Sequence, residues 1–97
     1  MVVGILRLVL RLPENGSLKG KRKVIKSIIT RTREKFNVSI GETDDHDLWQ
    51  RAQLGIVTVG NDRSVVNSVL DKITDLVESM ALAEIIDSGI EILNVYP

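Results

Sequence analysis

The run Val2-Val3-Gly4-Ile5-Leu6-Arg7-Leu8-Val9-Leu10-Arg11-Leu12, closed by Pro13, sets the class of this protein. Gly4, Leu6, Leu8, Leu10 and Leu12 fall on one side of it, and Val3, Ile5, Arg7, Val9 and Arg11 on the other. Successive side chains of an extended chain point to opposite faces, so a period of two with β-branched residues makes a strand. Pro13, which has no backbone N–H to give to a ladder, ends it.

Working outward, Glu14-Asn15-Gly16 makes a turn and Ser17 a helix N-cap. Leu18, Val24, Ile25, Ile28, Ile29, Thr32 and Phe36 recur at helical spacing and predict a first helix over 18–36. Asn37 to Thr43 reads as a second strand with Val38 and Ile40 facing in, and Asp44 to Leu48 as a polar connection. Trp49 or Gln50 through Val59 reads as a third strand. Gly60-Asn61-Asp62 stops it and opens a second helix over 62–80, where Val65, Val66, Val69, Leu70, Ile73, Leu76, Val77 and Met80 form an i, i+3, i+4 stripe. A fourth strand runs from about Ala83 to Val95, either unbroken or broken near Ser88-Gly89.

Two β–helix–β units in the order βαββαβ predict a ferredoxin-like α/β sandwich, a single domain over 1–97. One four-stranded sheet in the order 4-1-3-2 should carry both helices on one face. Right-handed crossovers are expected, with strands one and three paired in parallel at the centre. The other sheet face is then open. Strand one gives it Val3, Ile5, Arg7, Val9 and Arg11, and strand two Asn37, Ser39 and Gly41. Strand three adds Arg51, Gln53, Gly55, Val57 and Val59, unless a bulge exchanges Ile56 and Val57.

The 97 residues amount to one domain, which can bury about two-thirds of the surface its unfolded chain exposes. Thirteen basic and thirteen acidic residues cancel, but they are segregated. Ser17 to Phe36 holds eight basic residues against one acid, Glu34. That points to an oriented electrostatic surface more than to a general affinity for polyanions. The chain has no cysteine, which excludes disulfides and cysteine metal sites. Arg7 and Arg11 interrupt the apolar N-terminal run, which lacks a basic leader and a cleavage site. It is read as neither signal peptide nor membrane span, and the protein is expected in the cytoplasm.

Several phrases stand out together: Val3-Gly4-Ile5-Leu6-Arg7-Leu8, Ser17-Leu18-Lys19-Gly20-Lys21-Arg22, Asn37-Val38-Ser39-Ile40-Gly41-Glu42, and Asp47-Leu48-Trp49-Gln50-Arg51-Ala52-Gln53-Leu54-Gly55. With Asn61-Asp62-Arg63 after the third strand, they resemble the YlxP-like family of short bacterial proteins of unknown function. The resemblance covers nearly the whole chain and implies a ferredoxin-like fold. The genes of that family often sit among those for transcription and translation factors, which implies an RNA or ribosome connection by association. It brings no activity and no catalytic residue with it.

Three features could carry function. Lys19, Lys23, Lys26, Thr30 and Arg33 share one face of the first helix, bordered by Arg22, with the apolar stripe roughly opposite. Such a row can neutralise several backbone phosphates with little sequence preference, and the free N–H groups at the helix start are a natural anion site. A solvated basic face, or contact with an acidic protein, is the competing reading. The open sheet face offers Val, Ile, Arg, Gln and Gly but no aromatic on its central strands, so base stacking there is disfavoured. A cluster of Val3, Ile5, Val9, Val57 and Val59 would suit a homodimer, through this face or an edge strand. Glu42-Thr43-Asp44-Asp45-His46-Asp47 puts one histidine among four carboxylates, yet lacks the ligand spacing of a calcium loop or the histidines of a zinc site. It is read as an acidic hairpin loop, with Trp49 beside it as a packing anchor or subunit contact.

Catalysis has little to stand on, because the lone histidine lies in a loop and no glycine-rich phosphate motif is present. Acylphosphatases share the architecture, but Pro13-Glu14-Asn15-Gly16-Ser17 lacks their glycine-rich loop and arginine pattern. The expectation is a non-enzymatic RNA- or ribosome-associated protein with no cofactor, using Lys19, Lys21, Arg22, Lys23, Lys26 and Arg33, with Arg7, Arg11 and Arg51 as weaker candidates. The alternative is a homo-oligomeric interaction or regulatory module that binds a protein or a small anion and no nucleic acid.

Overall fold

The computed structural model describes residues 1–96; Pro97, the last residue of the expected domain, lies outside them. The elements are β1 (Val2–Arg11), α1 (Leu18–Lys35), β2 (Ser39–Asp44), β3 (Arg51–Gly60), α2 (Arg63–Met80) and β4 (Glu84–Asn94). Each helix starts where a side chain can take an orphan N–H. Ser17 Oγ accepts from Gly20 N at 3.0 Å, and Asp62 Oδ1 accepts from Ser64 N and Val65 N at 2.9 and 3.2 Å. α2 stops at Ala81, which adopts the left-handed region with φ 54°.

The sheet runs β2-β3-β1-β4, the expected order read from the opposite edge. Every neighbouring pair is antiparallel, β1 with β3 included, which corrects the parallel pairing expected at the centre. The physical reason is interleaving. Each crossover returns to a strand two places away, so the parallel partners are β1 with β2 and β3 with β4. The slot between each pair is filled by a strand of the other unit. Because β2 and β3 are antiparallel, β3 must also oppose β1.

The strand parity follows the sequence alternation. Leu6, Leu8, Leu10, Ala52, Leu54 and Ile56 are buried beneath Ile25 and Ile28 of α1 and Leu70, Ile73 and Val77 of α2. Gly4 lies so close to Val66 that a methyl group there would overlap its side chain. No bulge interrupts the β1–β3 ladder, so Ile56 stays inside and Val57 outside. The register shifts fall instead between Glu42 and Asp44 in β2 and opposite Val9 and Leu10 in β4. β4 is continuous through Ser88-Gly89, so of the two forms the sequence allows the strand takes the unbroken one. No helix among the described residues is long and apolar enough to cross a membrane.

Candidate nucleic-acid interface

At about 100° per residue, Lys19, Arg22, Lys23, Lys26, Thr30 and Arg33 occupy roughly one third of the α1 circumference. The opposite side carries the buried residues Lys21, Ile25, Ile28 and Thr32. Lys19, Arg22, Lys23 and Lys26 are exposed, and none pairs with a carboxylate among the described residues. Arg33 is also exposed, but its guanidinium donates to Ile40 O at 3.2 Å and ties the end of α1 to the edge strand β2. Arg22, Lys26, Thr30 and Arg33, with Ile25, Ile29 and Glu42, line a shallow groove of about 320 Å³ between α1 and β2. Its rim is basic and its floor apolar, a shape that can receive an extended polyanion.

Lys21 leaves the candidate set. It is 2% exposed, and its Nζ lies 2.9 Å from Glu42 Oε2 while donating to Asp45 O and His46 O. The reason is helical geometry: three residues after Leu18 and four before Ile25, Lys21 falls on the inward stripe. The spacing that marks that stripe was enough to exclude it. Glu42 Oε2 is close enough for strong attraction, though not aligned as a hydrogen bond. The ammonium therefore holds the acidic hairpin onto the helix rather than facing solvent.

The weaker candidates lie in the other layer. Arg7 pairs with Asp87 at 2.9 Å, Arg11 with Glu84 at 3.1 Å, and Arg51 with Asp45 at 2.9 Å. All three sit on the open sheet face, away from the α1 row. Val9, counted there as part of an exposed patch, is buried; Arg7, Gln53 and Asp87, its neighbours, join through hydrogen bonds around it.

Within the acidic hairpin, Asp45 turns back with φ 60° and accepts from Gln53 Nε2 at 3.0 Å and Arg51 Nε at 2.9 Å. The Gln53 amide, then Arg51, holds its carboxyl below the usual range, and desolvation works against them. No three His, Asp or Glu side chains converge on a metal position among the described residues. Trp49 is 54% exposed, so it anchors no core. With Leu48, Ile86, Arg11, Gln50 and Arg51 it lines a depression of about 440 Å³ at one end of the open face.

A family described as "protein of unknown function (DUF503)" matches residues 3–90. The uncharacterized protein YlxP of Bacillus subtilis (strain 168) is 44% identical over 64 residues, which span 66% of this chain and 70% of that protein. Among solved structures, the structural-genomics protein YJCS superposes with a TM-score of 0.56 at 16% identity, over 96% of this chain and 98% of the other. A structure titled antibiotic biosynthesis monooxygenase superposes with a TM-score of 0.52 at 12% identity, over 100% of both chains. At such identities these two share the fold and nothing more specific.

Proposed function

The chain belongs to the DUF503 family, and from that premise we propose that it is a non-enzymatic, RNA- or ribosome-associated protein of the cytoplasm that lays α1 against phosphate backbone. One observation carries this reading: Lys19, Arg22, Lys23 and Lys26 are exposed, without carboxylate partners among the described residues, and ranged along one helix face. Backbone contact asks for cations in that arrangement, because each neutralised phosphate releases counterions while the bases go unread. Arg33 stands at the end of the same row and keeps further donor groups for a phosphate. The carboxyls of Asp45 and Asp62 are pushed down by hydrogen bonds that hold a loop and cap a helix. The chain acts as a homo-oligomer in this reading.

The test is the triple substitution Lys19→Glu, Lys23→Glu and Lys26→Glu. The protein should fold as wild type, since all three face solvent, and should lose association with RNA or ribosomal particles. Wild-type affinity should fall with salt, with a log–log slope of at least about −2, since each phosphate contributes roughly −0.7 to −0.9. A folded triple mutant that binds as well as wild type would overturn the reading. It would leave an interaction module that binds a protein or small anion and no nucleic acid.

A further inference from the structure

We propose that the open sheet face is the surface on which a second copy of this chain packs, with the main chain at Gly41 and Gly89 as the line of closest approach. The proposal rests on the homo-oligomer reading above and names the surface that reading leaves open.

The register places Gly41, Gly55, Arg7 and Gly89 in one row across all four strands. No glycine in the described residues has positive φ, so backbone conformation does not call for them. Gly55 has an internal reason: a β-carbon there would lie 2.7 Å from Thr43 Cγ2. Gly41 and Gly89 have none, since nothing lies within 4 Å of a β-carbon built at either. Glycine inside a strand weakens it, and marks a bulge, a tight bend or a place where another backbone or ligand comes close; Gly41 and Gly89 are themselves paired in the ladder, outside the β2 and β4 bulges. Here nothing among the described residues comes close.

The side chains around the row suit a copy of the same surface. Leu93, Val3 and Val59 stand in register across β4, β1 and β3, and Ile5 and Val57 form the next step. Val57, Val59 and Leu93 are 40%, 66% and 45% exposed. Arg7, Arg11 and Arg51 already hold Asp87, Glu84 and Asp45, so stacking would bury no unpaired charge from those pairs. Glu91, exposed in register with Ile5, is the one charge on this face outside the pairs among the described residues, so the face offers little to a strongly charged partner, while its apolar steps suit a second copy. Three strands about 33 Å long and the shorter β2, of about 20 Å, spaced about 4.8 Å apart, offer roughly 600 Å² of flat area, near the ~800 Å² that each partner gives a stable interface.

Sedimentation or light scattering at micromolar concentration should give a dimer for wild type. Gly41→Val with Gly89→Val places β-carbons where nothing of the described residues lies within 4 Å, so the variant should melt no lower than a wild-type sample diluted to monomer. It should nevertheless run as a monomer, at least tenfold weaker in self-association. Val59→Glu, at an exposed position on the same face, should do the same and serves if the glycine variant fails to fold. Dimers retained in the folded variants overturn this proposal and leave the homo-oligomer reading standing through an edge strand. A wild-type chain that stays monomeric overturns both, and gives the face to a partner of another sequence.

Discussion

Lys21 and its neighbours show how a charge can be structural at one helix position and available one residue on. The ammonium is buried against Glu42, whose own side chain is 19% exposed, and it also satisfies two carbonyls of the acidic hairpin. Removing the cation alone leaves the carboxylate and both carbonyls unpaired, so Lys21→Ala should lower unfolding free energy by about 3 kcal/mol. Denaturant unfolding measures this, and RNA affinity of the fraction that remains folded should be unchanged. Asp62 and Asp45 tie stability to acid. Asp62 is held down first by the Ser64 hydroxyl, then by the Val65 and Ser64 N–H groups; Asp45 is held down by Gln53 and Arg51. A depressed folded-state pKa gives stability that is complete above the unfolded value near 4 and is lost as pH falls through the folded one. Melting temperature should therefore be flat from neutrality to about pH 5 and drop below pH 4. Asp62→Asn, which keeps an acceptor without the charge, should make that drop shallower.

At the scale of elements, α2 ends on a conformation its residue does not favour. Ala81 is left-handed with φ 54°, where a β-carbon crowds the backbone, and its N–H bonds back to Glu78 O at 3.2 Å. Ala81→Gly should raise stability by about 1 kcal/mol in chemical denaturation, and no change would mean the turn is relaxed by other means. Most of the elements could be read from the chain, because burial imposes periods of 2 and 3.6 directly on residue order. The alternation in Val2–Leu12 and Arg51–Val59 fixed which face each strand buries, and the α1 stripe located both the helix and its basic side. The bulges in β2 and β4 left no such trace, since one extra residue in an edge strand costs no apolar contact. Pairing direction between β1 and β3 is not written in residue order, because it depends on which strand fills the gap under each crossover. Lys21 is legible in the sequence, because its helical spacing from Leu18 and Ile25 puts it on the inward stripe. The family motifs identified the chain correctly, as the match over residues 3–90 shows.

The molecule as a whole has two unlike sides. One is a helix layer with a basic row unpaired among the described residues; the other is a sheet whose arginines close ion pairs within the chain and whose further charge is Glu91. Their separation means that the triple charge reversal on α1 and the glycine substitutions on the sheet test independent surfaces. Each variant should leave the other property intact, since the positions share no contacts. Placing both helices on one side of the sheet then has a consequence for reach. Two copies joined sheet to sheet, about 10 Å apart, would carry their helices on the outer flanks, with the cationic rows roughly 40 Å from each other. An RNA duplex laid along one flank could not touch the other. Such a particle would be a spacer with two grips, holding distant segments of one folded strand, or two separate strands, at a fixed separation.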